Sequence, residues 1–180
     1  MGVFLNVLLV KNTTEEKLKA ELEKEKDCWD VIPEECQYQQ GENGIQVLLS
    51  DHCTGYEVMT QALSEALDCP VMLCYIYDDD FWGYDFYDKG KGVDTFCPMP
   101  DYFEEADEEE RERVAGNAEK VAPYFDIEPK EIANYLQFWT EEMWDGDEEV
   151  LAYDEDECTM GDSWQMVDFM EKLGFSYDWE

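Results

Sequence analysis

Three consecutive aspartates, Asp78, Asp79 and Asp80, interrupt an aromatic run in the stretch CYIYDDDFWGYDFYDKGKGVDTFCPMPDYF, residues 74–103. Carboxylates gathered in one turn are hard oxygen ligands of the kind a divalent cation takes. An EF-hand loop needs more, including a glycine at its sixth position. The acidic series starting at Asp145 and Asp154 carry Val150 and Thr159 there, so both fail. Asp78–Asp80 read better as a solvated turn than as a metal site. Zinc is not expected either. His52 is the single histidine, and no two of the seven cysteines form a C-x-x-C pair. No cofactor is called for.

His52 also limits nucleophilic catalysis, because any Cys–His or Ser–His dyad must use it. Cys53 is its neighbour, but adjacent side chains point apart. Cys53 does precede a capping-box spacing, Thr54 to Glu57, and a helix N-terminus lowers a thiol pKa. An enzyme using Cys53 or a pair of carboxylates is therefore one reading. The plainer reading of Cys53 is a small buried residue at a strand-to-helix junction. Carboxylate pairs carry little information here, since with 47 Asp and Glu some pair always lies close. The segments GENG and GKG fit hairpin turns and lack the Lys-Ser/Thr of a phosphate-binding loop.

The charge speaks more clearly. The formal net charge is -35, and residues 104–180 hold 26 acidic against 5 basic residues. Such a field repels nucleic acid and anionic membrane and attracts basic partners. Direct nucleic-acid binding is excluded, as no basic stripe exists. A surface of carboxylates can instead hold a basic protein, or mimic DNA phosphates and occupy a DNA-binding protein. Solubility alone is the plain alternative. An aromatic content of 14% is too rich for a disordered acidic chain, so a folded protein is expected. The apolar run VFLNVLLV lacks a basic flank and a cleavage site, and it is too short to span a bilayer. An odd number of cysteines, mostly beside apolar residues, reads as reduced buried thiols and a cytoplasmic location.

These groups need a frame. Residues 3–10 are nearly continuous apolar, as in a central strand. Thr13 and Glu16 spell a capping box, followed by a helix with Leu18 and Leu22 on one stripe. Asn43-Gly44 marks a hairpin turn before the alternating Ile45, Val47 and Leu49. A second helix follows Thr54, Pro70 stops it, and residues 71–77 form another apolar strand. The order β-α-β-β-α-β is that of a ferredoxin-like split βαβ unit. There the fourth strand is an edge, yet residues 71–77 are too apolar for one. A β-hairpin formed by FWGYDFYDKG and KGVDTFCP resolves this by adding strands beside it. The expected fold is thus α+β. A ferredoxin-like core is extended into a mixed sheet of about six strands, with two helices on one face and C-terminal helices on the second face or at one end. Residues 1–103 are expected to form the sheet domain, and residues 104–180 an acidic helical extension packed on it as one structural unit. Pro129 starts one expected helix, with Ile132, Tyr135, Leu136, Trp139 and Met143 as its stripe, and Asp162 or Ser163 caps the last.

Alternation along the hairpin places Trp82, Tyr84 and Phe86 on one face. Either the C-terminal helices cover that face, or it forms an aromatic patch with the acidic rim Asp78, Asp79 and Asp80. The second arrangement suits a basic, partly apolar protein partner. Residues 75–103 also resemble uncharacterised acidic bacterial proteins, which carry a similar Asp-rich turn, Tyr-rich strand, glycine turn, Asp-x-Phe (Asp94, Phe96) and Pro-Asp-Tyr-Phe (Pro100–Phe103). That resemblance implies no activity and no catalytic residues. In size, acidity and cytoplasmic character the chain resembles immunity proteins, which neutralise toxins. The functional expectation is a non-enzymatic acidic binding protein, an immunity-type inhibitor of a basic protein.

Overall fold

The computed structural model describes residues 2–50, 55–146 and 149–179. Its centre is one six-stranded sheet: β1 (Leu5–Val10), β2 (Gln37–Gln40), β3 (Ile45–Leu48), β4 (Pro70–Tyr77), β5 (Phe81–Asp88) and β6 (Lys91–Phe96). The spatial order is β2-β3-β1-β4-β5-β6, and every neighbouring pair is antiparallel. The expectation of a mixed sheet is therefore corrected. Each helical crossover places another strand between the two it joins, so no parallel pair becomes adjacent. The added strands arrive through tight turns, which permit only antiparallel neighbours. In the β4–β5 turn, Asp78 and Asp79 take φ of +49° and +65°, and the Asp80 amide donates to the Tyr77 carbonyl at 2.9 Å. Positive φ at both central residues gives the hairpin twist that aspartate tolerates.

Helix α1 (Glu15–Trp29) and helix α2 (Tyr56–Ala66) cover one face. The cap of α1 is Thr14, whose hydroxyl accepts from the Lys17 amide at 3.3 Å, one residue beyond the expected Thr13. Leu18, Leu22, Met59 and Leu63 pack on Leu8, Val10, Val71 and Leu73. Register puts Leu8 opposite Val47 on one side and Leu73 on the other, which centres this layer on β1. The apolar strand β4 lies inside the sheet, as its composition demands.

The second face is covered by residues 121–175. Short helices α3 (Glu108–Arg113), α4 (Ala118–Val121) and α5 (Glu141–Trp144) and 3-10 turns lead to α6 (Gln165–Lys172). Val121, Phe125, Ile132, Tyr135, Phe169 and Met170 share one buried cluster with Leu9, Met72, Cys74 and Ile76. The helix expected after Pro129 is replaced by two 3-10 turns and the brief α5. Its backbone is held from outside: the Asn134 amide donates to the Tyr153 hydroxyl at 3.1 Å, and the Trp139 amide to the Pro98 carbonyl at 2.9 Å. Tertiary partners of this kind replace the helical ladder. Among the described residues, no helix is long and apolar enough to cross a membrane.

Candidate functional site

Trp82, Tyr84 and Phe86 are buried, at 0%, 0% and 1% exposure. The aromatic face they form is core, so they do not make a surface patch. Trp82 donates from Nε1 to the Gln165 Oε1 at 3.1 Å, and Tyr84 lies parallel to Phe169 with ring centroids 5.3 Å apart. The covering chain thus supplies apolar contact to both rings and the polar partner of Trp82, while Tyr84 finds its partner within the sheet, on β6. Tyr84 donates to Asp94 at 2.7 Å, which in turn accepts from the Asn117 amide at 2.8 Å.

Each aspartate of the turn is directed at a different partner. Asp78 accepts from the Gly2 amide at 3.2 Å, Asp79 from the Ser163 hydroxyl at 3.2 Å and Asp80 from the Tyr102 hydroxyl at 2.5 Å. The turn therefore ties the N-terminal segment, the approach to α6 and residues 98–103 together. Among the described residues, no group of three or more His, Cys, Asp or Glu side chains is placed to hold a metal ion. His52, Cys53 and Thr54 lie outside the described residues.

The opposite side of the same hairpin is uncovered at one end. Tyr75 and Tyr77 of β4 and Phe81 of β5 point to the α1–α2 side of the sheet, since side chains alternate along a strand. Helix α2 covers the far end of β5, where Ser64 and Gln61 bond the amide and carbonyl of Gly90 in the β5–β6 turn, each at 2.9 Å. Beyond its first turn the sheet is open. There Phe81 is buried as an anchor, and Tyr77 stacks on it at 5.5 Å. Phe4 and Phe103 meet the Tyr77 ring edge-on at 5.1 and 5.2 Å. Tyr102 closes the cluster against Phe81 at 5.0 Å. Phe4 and Phe103 remain 54% and 71% exposed, so this cluster presents aromatic surface to solvent.

Beside it lies an open cleft of about 490 Å³. Leu73, Tyr75 and Tyr77 of β4 and Asp85 of β5 line it from the sheet, and Tyr56 and Glu57 line it from the first turn of α2. Phe4 belongs to both the cleft and the aromatic cluster. Gly83 shapes the floor. It pairs with Tyr75 across the strands, and a Cβ at Gly83 would come within 2.5 Å of both the Tyr75 Oη and the Phe96 carbonyl oxygen. The tyrosine ring thus crosses the strand where a side chain would otherwise stand.

Asp85 is the unusual group of the cleft. Burial, reinforced by the charge of Glu57, raises its pKa from the usual 3.8 to about 6, although a Thr95 hydrogen bond and Arg113 oppose the shift. Among the described residues, neither Asp85 nor Glu57 forms an ion pair. Glu57 accepts from the Tyr87 hydroxyl at 3.2 Å. Arg113 is held by Glu110 through two hydrogen bonds, at 2.8 and 2.7 Å. Cys97 is half-buried, and burial pushes its thiol up to about 11, so it stays protonated at neutral pH.

The sequence-based reading chose the even-numbered face of β5. The uncovered aromatics are Tyr77, with Phe4 and Phe103 contributed from outside the hairpin. A usable signal was Asp85 itself, an acid in register with Thr95 and flanked on its own face by Gly83 and Tyr87. No protein-family model, no curated protein and no solved structure matches the chain.

Proposed function

We propose that the protein is a non-enzymatic acidic binding protein that holds a basic protein partner, as an immunity-type inhibitor does. One observation carries the reading: solvent-facing aromatic rings, Phe4 and Phe103 foremost, adjoin a cleft whose carboxylates form no ion pair among the described residues, on a chain of net charge -35. Desolvated aromatic anchors supply affinity at a protein interface, and the surrounding charge steers association. Binding is favoured over catalysis because the described cleft offers no activated nucleophile beside Asp85; the nearby Cys97 is held in its thiol form. The companion fold reading is a ferredoxin-like split βαβ core, supported by the order β2-β3-β1-β4 and by two helices on one face. A cytoplasmic setting goes with it, in keeping with free Cys28, Cys36, Cys69, Cys74, Cys97 and Cys158.

The test is affinity capture by the full chain at about 0.05 M and about 0.5 M salt, with an unrelated protein of equal charge as control. The expected result is a partner more basic than the background, absent from the control and released by salt. Captured proteins no more basic than the background, or a complex indifferent to salt, would overturn the reading.

A further inference from the structure

We propose that the cleft between α2 and strands β4 and β5 receives a cationic side chain of the basic partner, arginine before lysine. Its charge meets Asp85 and Glu57, and its stem lies along Tyr75 and Tyr77. The inference deepens the function proposed above and rests on it for the source of the side chain.

Charge complementarity selects the occupant. Among the described residues, two carboxylates line the cleft and no lysine or arginine does. Arg113, whose charge reaches both Asp85 and Glu57, is itself committed to Glu110 through two bonds. An anionic occupant would meet repulsion from both acids. A wholly apolar one would bury Asp85 further and leave its charge unpaired, which low-dielectric surroundings penalise. A cation relieves that cost and gains from the ring faces around it. Arginine fits better than lysine for two reasons. Its guanidinium is planar, so it stacks on tyrosine while bonding a carboxylate. It is also less strongly hydrated, so entering a partly apolar cleft strips away less solvation.

The surroundings keep the acceptor in place. Asp85 is braced by the Thr95 side chain on the neighbouring strand, and Glu57 by the Tyr87 hydroxyl. Gly83 leaves the room in which Tyr75 lies across the sheet. The exposed Phe4 and Phe103 form a collar for the residues that flank the inserted side chain.

The experiment is an amide NMR titration of the full chain with N-acetyl-arginine amide, its lysine counterpart and its citrulline counterpart. Citrulline keeps the shape of arginine and removes its charge. The arginine compound should give saturable shifts at Glu57, Tyr75, Tyr77, Asp85 and Thr95. Lysine should bind more weakly, and citrulline should leave these signals in place. Asp85→Asn should weaken arginine binding by about tenfold or more, and Glu57→Gln, an exposed change that spares the core, by a smaller factor. Equal response to citrulline, shifts scattered over the acidic surface with none in the cleft, or an unchanged Asp85→Asn variant would overturn the proposal. Capture assays separate the two readings. If wild type and Asp85→Asn hold the same basic partner equally well, the cleft assignment falls and the binding function stands. If no basic partner is captured while arginine still occupies the cleft, the binding function falls instead.

Discussion

Replacing Asp85 with asparagine should make the protein more stable at neutral pH, against the usual direction of a mutation in a packed sheet. Burial, with the charge of Glu57, raises the Asp85 pKa from 3.8 to about 6. Over that interval the unfolded chain has lost its proton while the folded chain keeps it. Stability therefore falls as pH rises from about 4 to about 6 and is not regained above. A displacement of about two pKa units corresponds to about 3 kcal/mol. Asparagine stays neutral throughout and retains an oxygen for the Thr95 hydrogen bond, so it escapes this loss. Urea unfolding of both proteins across a pH series measures the difference, and the repulsion common to a chain of net charge -35 largely cancels between them. The two stabilities should agree near pH 3.5 and part by up to about 3 kcal/mol at pH 7. An asparagine variant no more stable than wild type at pH 7, or a gap that does not change with pH, would refute the view that Asp85 ionises at a cost. That cost also gives the carboxylate a functional interpretation: a cation entering the cleft removes it, so stability and binding should move oppositely in this one variant.

Three other changes probe the remaining parts of the account. Trp82→Ala should cost about 3–5 kcal/mol in chemical denaturation, because it removes the largest core side chain and strands the Gln165 oxygen. Gly83→Ala should cost about 1–3 kcal/mol, since the added carbon meets the Phe96 carbonyl, which cannot rotate away as a side chain would. It should also weaken arginine binding by displacing Tyr75 into the cleft. Phe103→Ala should leave stability within about 0.5 kcal/mol of wild type, as expected of a largely exposed ring, while weakening capture of the partner.

Much of the frame was legible because the patterns were local. The apolar run of β4 demanded neighbours on both sides, and the hairpin behind Asp78–Asp80 could supply one of them; the sheet order agrees. The turn that ends at Gly90 and the stop at Gly174 follow from glycines, which tolerate positive φ. The region after Pro129 was not legible. Helical spacing of Ile132, Tyr135 and Leu136 is equally satisfied by successive 3-10 turns, and the deciding bonds to Tyr153 and Pro98 come from distant segments. Strand alternation correctly grouped Trp82 with Tyr84 and Phe86, but it could not say which face would be covered. That depended on Phe169 and Gln165 in the closing helix, Gln165 standing 83 residues beyond Trp82. Nor could it place Phe4 and Phe103, which reach the site from outside the hairpin.

The most direct test of the central claim is the affinity of the full chain for its captured basic partner, measured for wild type and Asp85→Asn across a salt series. The account requires affinity that falls steeply with salt, and an asparagine variant that binds about tenfold or more weakly at every salt concentration despite being the more stable protein. Salt-insensitive affinity, equal for the two proteins, would contradict it.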